Sequence, residues 1–233
     1  MRRVQFLAAV CIAAVGLSSC AELRHAPPTV ADNLVNHAAV TVERFKTLPQ
    51  MADFKGEIAT AKAVVVLPSV FKAGYFIGGE GGNGVLVVRG AEGVWSHPAF
   101  YTLAGASFGV QIGLQDTEIV LVLRSDKALN AILEHQAKLG ADVGITVGVV
   151  GMGIEASTTS ALGPDILAFA NSILGLYGGA SLEGAVLVRR TDLNEAFYAP
   201  GAETRAIVFE NKYSNPKAEP LRTALAASQA AAP

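Results

Sequence analysis

The sequence has few cysteines, and both of them lie close to its start. Of its 233 residues only Cys11 and Cys20 carry a thiol. The rest of the chain therefore contains no disulfide, no cysteine-ligated zinc site and no cysteine nucleophile. Stability must come from a packed core, and the chain is long enough to bury one.

Basic residues are also scarce. The chain has 18 Lys and Arg residues against 20 Asp and Glu residues, a formal charge of −2, and it contains no dense run of Lys or Arg. Without Arg2 and Arg3 the charge falls to −4. Nucleic acids require concentrated positive charge for their phosphates. We therefore expect no nucleic-acid partner.

The first twenty residues have the pattern of a secretory signal. Arg2 and Arg3 precede an apolar segment, 6–17, and small residues follow it. Twelve helical residues rise about 18 Å, which is too short for a hydrocarbon core of about 30 Å. A positive start, a short apolar middle and small residues favour a cleaved signal peptide over a membrane span.

The sequence Leu-Ser-Ser-Cys at 17–20 resembles the lipobox of bacterial lipoproteins. The resemblance implies a signal peptide at 1–19 and acylation of Cys20, with palmitate for example, as the first mature residue. Ala21, the residue after Cys20, stands where aspartate could stand, and this resembles lipoproteins that are sorted to the outer membrane. We therefore expect an exported protein on that membrane, facing the periplasm. There are two alternatives. One is an ordinary signal peptide in which the cysteine occurs by chance, and the other is a twin-arginine signal.

Beyond the signal, the pattern predicts helices first and strands later. Residues 20–29 are expected to be a tether ending in Pro27-Pro28. Apolar residues then recur at helical spacing from Val30 to Phe45, and Pro49 ends that helix. A second short helix is expected before Ala63. These helices either pack on a sheet or lay an apolar stripe on a membrane.

The later part of the chain is rich in β-branched runs. We expect a strand at 64–67 ended by Pro68, glycine-rich turns to Gly84, and further strands at 85–88, 107–115, 119–123, 143–149, 166–170, 176–177 and 185–188. A β-bulge is expected near 149–151. A helix capped by Ser125 or Asp126 and ended by Gly140 interrupts the strands, and 191–197 reads as a short helix or turn.

This order of elements predicts an α+β fold. We expect N-terminal helices packed on a mostly antiparallel, glycine-rich β-sheet or barrel-like core with one internal helix. The domain is expected to span 30–212, and 213–233 to form a partly disordered C-terminal tail.

Two catalytic or nucleotide-binding motifs occur but lack their structural context. The run 79–84 fits G-x-G-x-x-G, yet a strand follows it where a phosphate site needs a helix. The run 105–109 fits G-x-S-x-G, with Ser107 as nucleophile and His97 as the candidate base, but strand periodicity continues through it. A membrane helix with a glycine face at 105, 109 and 113 fits the polar residues poorly. We expect no catalytic site, metal or cofactor.

Several glycine- and aromatic-rich segments occur together in order, at 63–68, 72–79, 82–86, 95–100, 109–113, 140–142 and 175–184. Together they resemble the SYLF domain, also called the Ysc84-like domain, over about 30–210. The resemblance implies a non-catalytic domain that binds lipid. Eukaryotic relatives bind phosphoinositides through an amphipathic helix and nearby basic residues, and some bind actin. For an exported protein the expected partner is membrane phospholipid.

Two sets of residues are candidates for that lipid site. One is the basic set Arg44, Lys46, Lys55, Lys62 and Lys72. The other is the small-residue face of the expected strand 107–115, formed by Ser107, Gly109, Gln111 and Gly113. The alternatives are an envelope protein-interaction module without a lipid ligand, and a hydrolase that uses Ser107 and His97.

Overall fold

The computed structural model describes residues 26–74, 77–108, 113–134, 137–139, 147–150, 164–174 and 184–226. The helices are α1 (Pro27–Thr47), α2 (Phe54–Thr60), α3 (Asp126–Glu134), α4 (Thr191–Phe197), α5 (Thr204–Val208) and α6 (Glu219–Ala226). The strands are β1 (Ala63–Gly74), β2 (Ile77–Val88), β3 (Ala99–Phe108), β4 (Gly113–Leu123), β5 (Ala137–Lys138), β6 (Val147–Val150), β7 (Ile166–Leu174) and β8 (Val186–Arg189). Two 3₁₀ turns lie at Pro49–Met51 and Pro216–Ala218.

Helix α1 begins and ends where its sequence requires. Pro27 stands at its start, where the missing amide hydrogen has no helical partner to lose. Arg44 and Lys46 in the last turn favour the negative end of the helix dipole. Pro49 follows and restricts Leu48 to extended backbone. The predicted helix is confirmed, and its apolar stripe packs on the protein, but it begins at Pro27, three residues before Val30 and inside the expected tether.

All described strands form one eight-stranded sheet in the order β5-β8-β3-β2-β1-β4-β7-β6. Each pair is antiparallel except β6–β7, which is parallel. The predicted α+β class and mostly antiparallel sheet are therefore confirmed. The sheet is open in this order, with β5 and β6 at its two ends.

Helices cover the sheet on both faces. One face packs on α3 and α5, and the other packs on α1, α2, α4 and α6. Val65 and Leu67 of β1 belong to the first core, whereas Val64 and Val66 belong to the second. A strand buried on both sides needs an uninterrupted apolar run, which explains the valines of β1.

Strand β1 does not end at Pro68, contrary to the prediction. The strand continues to Gly74, and its register with β4 shifts between Leu67 and Val70. Proline has no amide hydrogen for a ladder, so a central strand accommodates it only at an irregularity. The bulge lets the chain keep pairing with both neighbours beyond the proline.

The glycine-rich run before Val85 is also strand and not turn. Gly82 and Gly84 lie in β2 opposite the β1 bulge. A Cβ atom on Gly82 would stand 2.2 Å from the Ser69 carbonyl oxygen, and one on Gly84 would stand 2.5 Å from the Val66 carbonyl oxygen. These two glycines are therefore required because the bulged backbone presses against β2.

The segment 107–115 is not one continuous strand, which corrects the prediction made from its alternation. Ser107 lies near the end of β3 and Gly113 begins β4, and both β2 and β1 lie between these strands. Alternating small and apolar residues occur in each strand end, so periodicity alone could not reveal the break. Residues 109–112 lie outside the described residues.

The internal helix is shorter than predicted. Ser125 caps α3, since its Oγ accepts from the Ala128 amide at 3.1 Å. The predicted burial of Leu129, Ile132 and Leu133 is confirmed. However, α3 ends at Glu134, and β5 follows before Gly140. The predicted strand at 176–177 lies outside the described residues, as does Gly151 of the expected bulge.

The segment after 212 forms part of the core, although the sequence suggested a tail. A 3₁₀ turn and α6 carry the chain to Ala226, and Leu221 and Leu225 are fully buried. Alanine-rich composition suggested fraying, but the two leucines are spaced to face α1. The structure describes this segment up to Ala226.

We predict that Gly82→Ala destabilises the protein by about 2–3 kcal/mol, because the added methyl group meets fixed backbone. Urea unfolding of the purified variant measures the change. Gly56→Ala is the control: that glycine lies in α2 with no atom near its Cβ position. Alanine there should stabilise by about 0.5–1 kcal/mol. Equal effects of both substitutions would contradict the packing explanation.

Candidate functional site

A buried carboxylate connects α1 to the sheet. Glu118 of β4 is 3% exposed, and its Oε1 accepts from the Thr41 hydroxyl at 2.8 Å and from Arg44 Nη1 at 2.8 Å. Its Oε2 accepts from Asn171 Nδ2 at 2.9 Å. We call these four residues the Glu118 cluster. Each carboxylate oxygen is satisfied, as a buried charge requires.

The Glu118 cluster gives Arg44, the first candidate lipid ligand, a structural role. The Arg44 side chain is 43% exposed, but Glu118 balances its positive charge. Arg44 therefore fixes the end of α1 to β4. A reader of the sequence would have had no signal for this pair, because the two residues are 74 positions apart.

Two further basic candidates also pair within the protein. Lys46 is only 7% exposed at the side chain; it contacts Glu43 at 2.9 Å and donates to the Ala224 carbonyl of α6. Lys62 pairs with Asp126 at 3.3 Å, with both groups exposed. Lys55 is exposed on α2. The basic set thus includes both structural and surface cations.

The basic candidates do not form one patch. Lys62 directly precedes β1, whereas Lys72 lies near the other end of that strand. At the rise of a strand, the two residues are about 30 Å apart.

Three of the candidates, Ser107, Gly113 and Lys72, do lie near one another in the sheet. Ser107 of β3 pairs with Gly78 of β2, Gly78 pairs with Gly74 of β1, and Gly74 pairs with Gly113 of β4. Gly74 lies two residues beyond Lys72 in β1. We call this part of the sheet the glycine-rich end.

Phe71 is an exposed phenylalanine at the glycine-rich end that sequence reasoning missed. It is 46% exposed, in register with Gly81 of β2 and Asp116 of β4. Its register places it on the face that α1 covers, beyond the helix end that holds Arg44. No sequence pattern predicted this exposure, which depends on where α1 ends above the sheet.

Glu80 gives the glycine-rich end a buried acid. It lies opposite Lys72 on β1 and Gly105 on β3, and it is 8% exposed. A Cβ atom on Gly105 would stand 2.8 Å from Glu80 Oε1. A side chain at position 105 would therefore require the Glu80 carboxylate to shift. The glycine of the G-x-S-x-G pattern has a packing role here.

The proposed catalytic pair of Ser107 and His97 cannot operate. His97 precedes β3, and eight residue steps of extended strand lead from Ala99 to Ser107. At about 3.3 Å per residue, this distance is about 26 Å. A general base must lie within hydrogen-bond reach of its nucleophile. The G-x-G-x-x-G run is likewise not followed by a helix, because 79–84 lies inside β2.

A second polar network fixes α4 against the sheet. Arg190 Nη1 donates to Asn83 Oδ1 at 2.9 Å and to Thr102 Oγ1 at 3.2 Å, and its other nitrogens bind Asp192. Hydrogen bonding to Asp192 raises the pKa of Arg190. The same bond lowers the pKa of the Asp192 carboxyl. Asn194, also in α4, accepts from the Phe100 amide at 2.9 Å.

Two features are absent from the described part of the chain. Within it, no helix is both long enough and apolar enough to cross a bilayer. The same residues contain no cluster of three or more metal-ligating side chains.

These features define an α+β domain with an open sheet covered by helices on both faces. The sequence matches the family described as Ysc84, Las17-binding protein actin regulator, over residues 104–228, which is more than half of the chain. The protein therefore belongs to the Ysc84 (SYLF) family. The predicted family resemblance is confirmed.

Curated relatives agree with this assignment. The chain is 32% identical to Protein YSC84 of Saccharomyces cerevisiae over 163 residues, or 69% of this chain and 35% of that protein. It is 32% identical to human SH3 domain-containing YSC84-like protein 1 over 165 residues, or 70% of this chain and 48% of that protein. The chain thus spans half or less of these relatives.

We predict that Thr41→Val lowers the free energy of unfolding by about 2 kcal/mol, because a buried carboxylate loses a hydrogen bond. Thr47→Val on the same helix is the control. The Thr47 hydroxyl binds the Arg44 carbonyl on an exposed surface, so its loss should cost under about 0.5 kcal/mol. Urea unfolding compares the two variants. Equal losses would show that the Glu118 cluster does not hold α1.

Proposed function

We propose that this protein is a lipid-anchored protein of the cell envelope whose Ysc84 domain binds membrane phospholipid without catalysing a reaction. The observation that carries the proposal is the exposed Phe71 at the glycine-rich end, with the Arg44 cation on the same face of the sheet. An exposed apolar side chain near a cation suits the interface of an anionic membrane, whereas Lys72, the next residue of β1, points to the opposite face of the sheet from Phe71.

The strength of such a contact is small by itself. Burying a phenylalanine contributes about 1.5–3 kcal/mol, and a cation near an anionic surface adds about 1 kcal/mol. Arg44 contributes less than a free cation, since Glu118 balances its charge. A contact of this size becomes useful when the protein is already held at a membrane, because tethering raises the effective concentration.

The proposed anchor supplies that tether. Seven residue steps connect Cys20 to Pro27, and they span at most about 25 Å when extended. Helix α1 then runs 21 residues, about 31 Å, before the end that carries Arg44. The separation allows Phe71 to reach lipid other than the lipid that carries the anchor. An outer-membrane location facing the periplasm agrees with Ala21.

A protein-interaction module is the second candidate. A groove of about 770 Å³ lies between α1 and α6, and Val40 at its side is 54% exposed. The family description names Las17 binding and actin regulation, which are properties of relatives. In an exported protein, the corresponding partner would be another envelope protein. Native pull-down of the intact protein distinguishes this candidate from phospholipid binding.

We predict that Cys20→Ala removes the membrane anchor. The unchanged protein should sediment with membranes and show the mass of attached acyl chains by intact mass spectrometry. The Cys20→Ala variant should lack that added mass. Cys11→Ala, within the signal segment, is the matched control and should be acylated like the unchanged protein. A free thiol at Cys20 in protein purified from membranes would contradict the anchor.

We predict that Phe71→Ser weakens binding to phosphatidylglycerol vesicles at least tenfold, because the apolar contact is lost. Co-sedimentation of protein beginning at Ala21 measures the effect, with phosphatidylcholine vesicles for comparison. Phe209→Ser is the matched control, since Phe209 is 45% exposed but lies after α5.

Equal effects of the two serine substitutions would remove Phe71 from the site. Absence of binding to every anionic lipid mixture, together with capture of a defined envelope protein by the intact lipoprotein, would replace phospholipid binding with the interaction module.

A further inference from the structure

A cavity of about 730 Å³ lies at the opposite end of the sheet from Phe71. It is formed by the β2–β3 connection, the segment that follows α5, and Arg222 of α6. Arg89, at the end of β2, and Trp95 are part of its wall. We call it the Trp95 cavity. Its volume falls in the range of sites for small molecules.

Arg89 brings an unneutralised charge to this wall. Its Nη2 donates to the Ile58 carbonyl at 2.8 Å, Nη1 donates to the Ala59 carbonyl, and the guanidinium lies 4.9 Å from the centre of the Trp95 ring. Among the ion pairs of the described residues, none involves Arg89. Burial lowers its pKa, which reflects the missing counter-charge.

Three nitrogen atoms of the cavity-lining residues are buried without a hydrogen-bond partner in the described structure. They are Arg89 Nε, Trp95 Nε1 and His97 Nδ1. The arginine and tryptophan nitrogens can only donate, so their complement must be an acceptor. Burial, and then the nearby Arg222 charge, lower the pKa of His97, while Glu219 acts in the opposite sense.

Arg222 adds a second guanidinium to the same wall. Its Nε donates to the Trp95 carbonyl at 2.9 Å, and its Nη1 pairs with Glu219. Two carboxylates are close to the cavity. Glu92 is itself one of the cavity-lining residues and is exposed to solvent, and Glu219, the ion-pair partner of Arg222, is 54% exposed at its side chain. Arg89 and Trp95 belong instead to the more buried part of the wall.

The cavity also offers apolar surface. Val94 is 57% exposed and Phe209 is 45% exposed, and both line the cavity. Val88 and Val208, which are buried, contribute as well. A ligand that fits this wall carries an acceptor-rich anionic group for its guanidinium groups and a short apolar body for these side chains.

We propose that the Trp95 cavity binds a small organic oxyanion, a carboxylate or a phosphate ester with a short apolar chain. The site involves none of the residues proposed for phospholipid contact, so the two proposals stand or fall separately.

Trp95 makes the test direct, because it is the single tryptophan of the chain. Full-length protein is titrated with hexanoate, hexyl phosphate, inorganic phosphate and hexanol while tryptophan fluorescence is recorded. Hexanoate or hexyl phosphate should give a saturable change, with at least tenfold weaker effects of inorganic phosphate and hexanol. The tighter of the two hexyl anions identifies the head group. Equal affinity for hexanol, or no saturable change with any probe, would overturn the proposal.

Variants separate the cavity from general charge effects. Arg222→Gln should weaken the hexyl anion at least tenfold, whereas Arg124→Gln, which removes another ion-paired arginine outside the cavity, should not. Phe209→Ser, a surface change, should weaken the hexyl anion and leave inorganic phosphate unchanged. Equal affinities of the Arg222→Gln and Arg124→Gln proteins would overturn the proposal.

A separate titration with vesicles distinguishes membrane contact from binding in the Trp95 cavity. Phosphatidylglycerol vesicles at matched phosphate concentration should leave Trp95 fluorescence unchanged, because Phe71 is remote from the cavity. A fluorescence change with vesicles and none with the hexyl anions would assign the effect to the membrane and overturn the cavity proposal.

Discussion

Strand β1 is buried on both faces, and this requirement organises the domain. Its valines must pack on two separate cores, so helices have to cover the sheet above and below. The N-terminal helices cover one face together with α4 and α6, which come from the far end of the chain. Contacts between α1 and α6 therefore bring distant parts of the sequence together, and the segment after 212 is needed to complete this core.

The bulge around Pro68 marks a change in character along the same strand. Before it, β1 lies between two apolar cores; after it, the strand pairs with glycine-rich β2 and carries Phe71 to the surface. Glu118 lies in β4 beside this transition and binds the last turns of α1. The domain thus has a covered part, which supplies stability, and a glycine-rich end, where Phe71 is exposed.

Much of the fold follows from local patterns. The stripe from Val30 to Phe45 predicted α1, Ser125 predicted the cap of α3, and β-branched runs predicted most of the described strands. Two of the errors, at Pro68 and in the glycine-rich run before Val85, share one physical cause. Pro68 and the glycines of 79–84 are breakers in isolation, but a bulge and its close backbone contact allow them within strands. In the segment 107–115, small and apolar residues alternate as in a single strand, although its two ends belong to β3 and β4.

The sequence by itself determined the family, the α+β class, the lack of thiols after Cys20 and the identity of the basic candidates. Only the tertiary structure decided what those candidates do. It paired Arg44 with Glu118 and Lys46 with Glu43 and the α6 backbone, and it separated Lys62 from Lys72 along the sheet. It also exposed Phe71 and placed Arg89 against Trp95. Local periodicity records which residues can be buried, whereas partners and exposure depend on contacts between segments far apart in the chain.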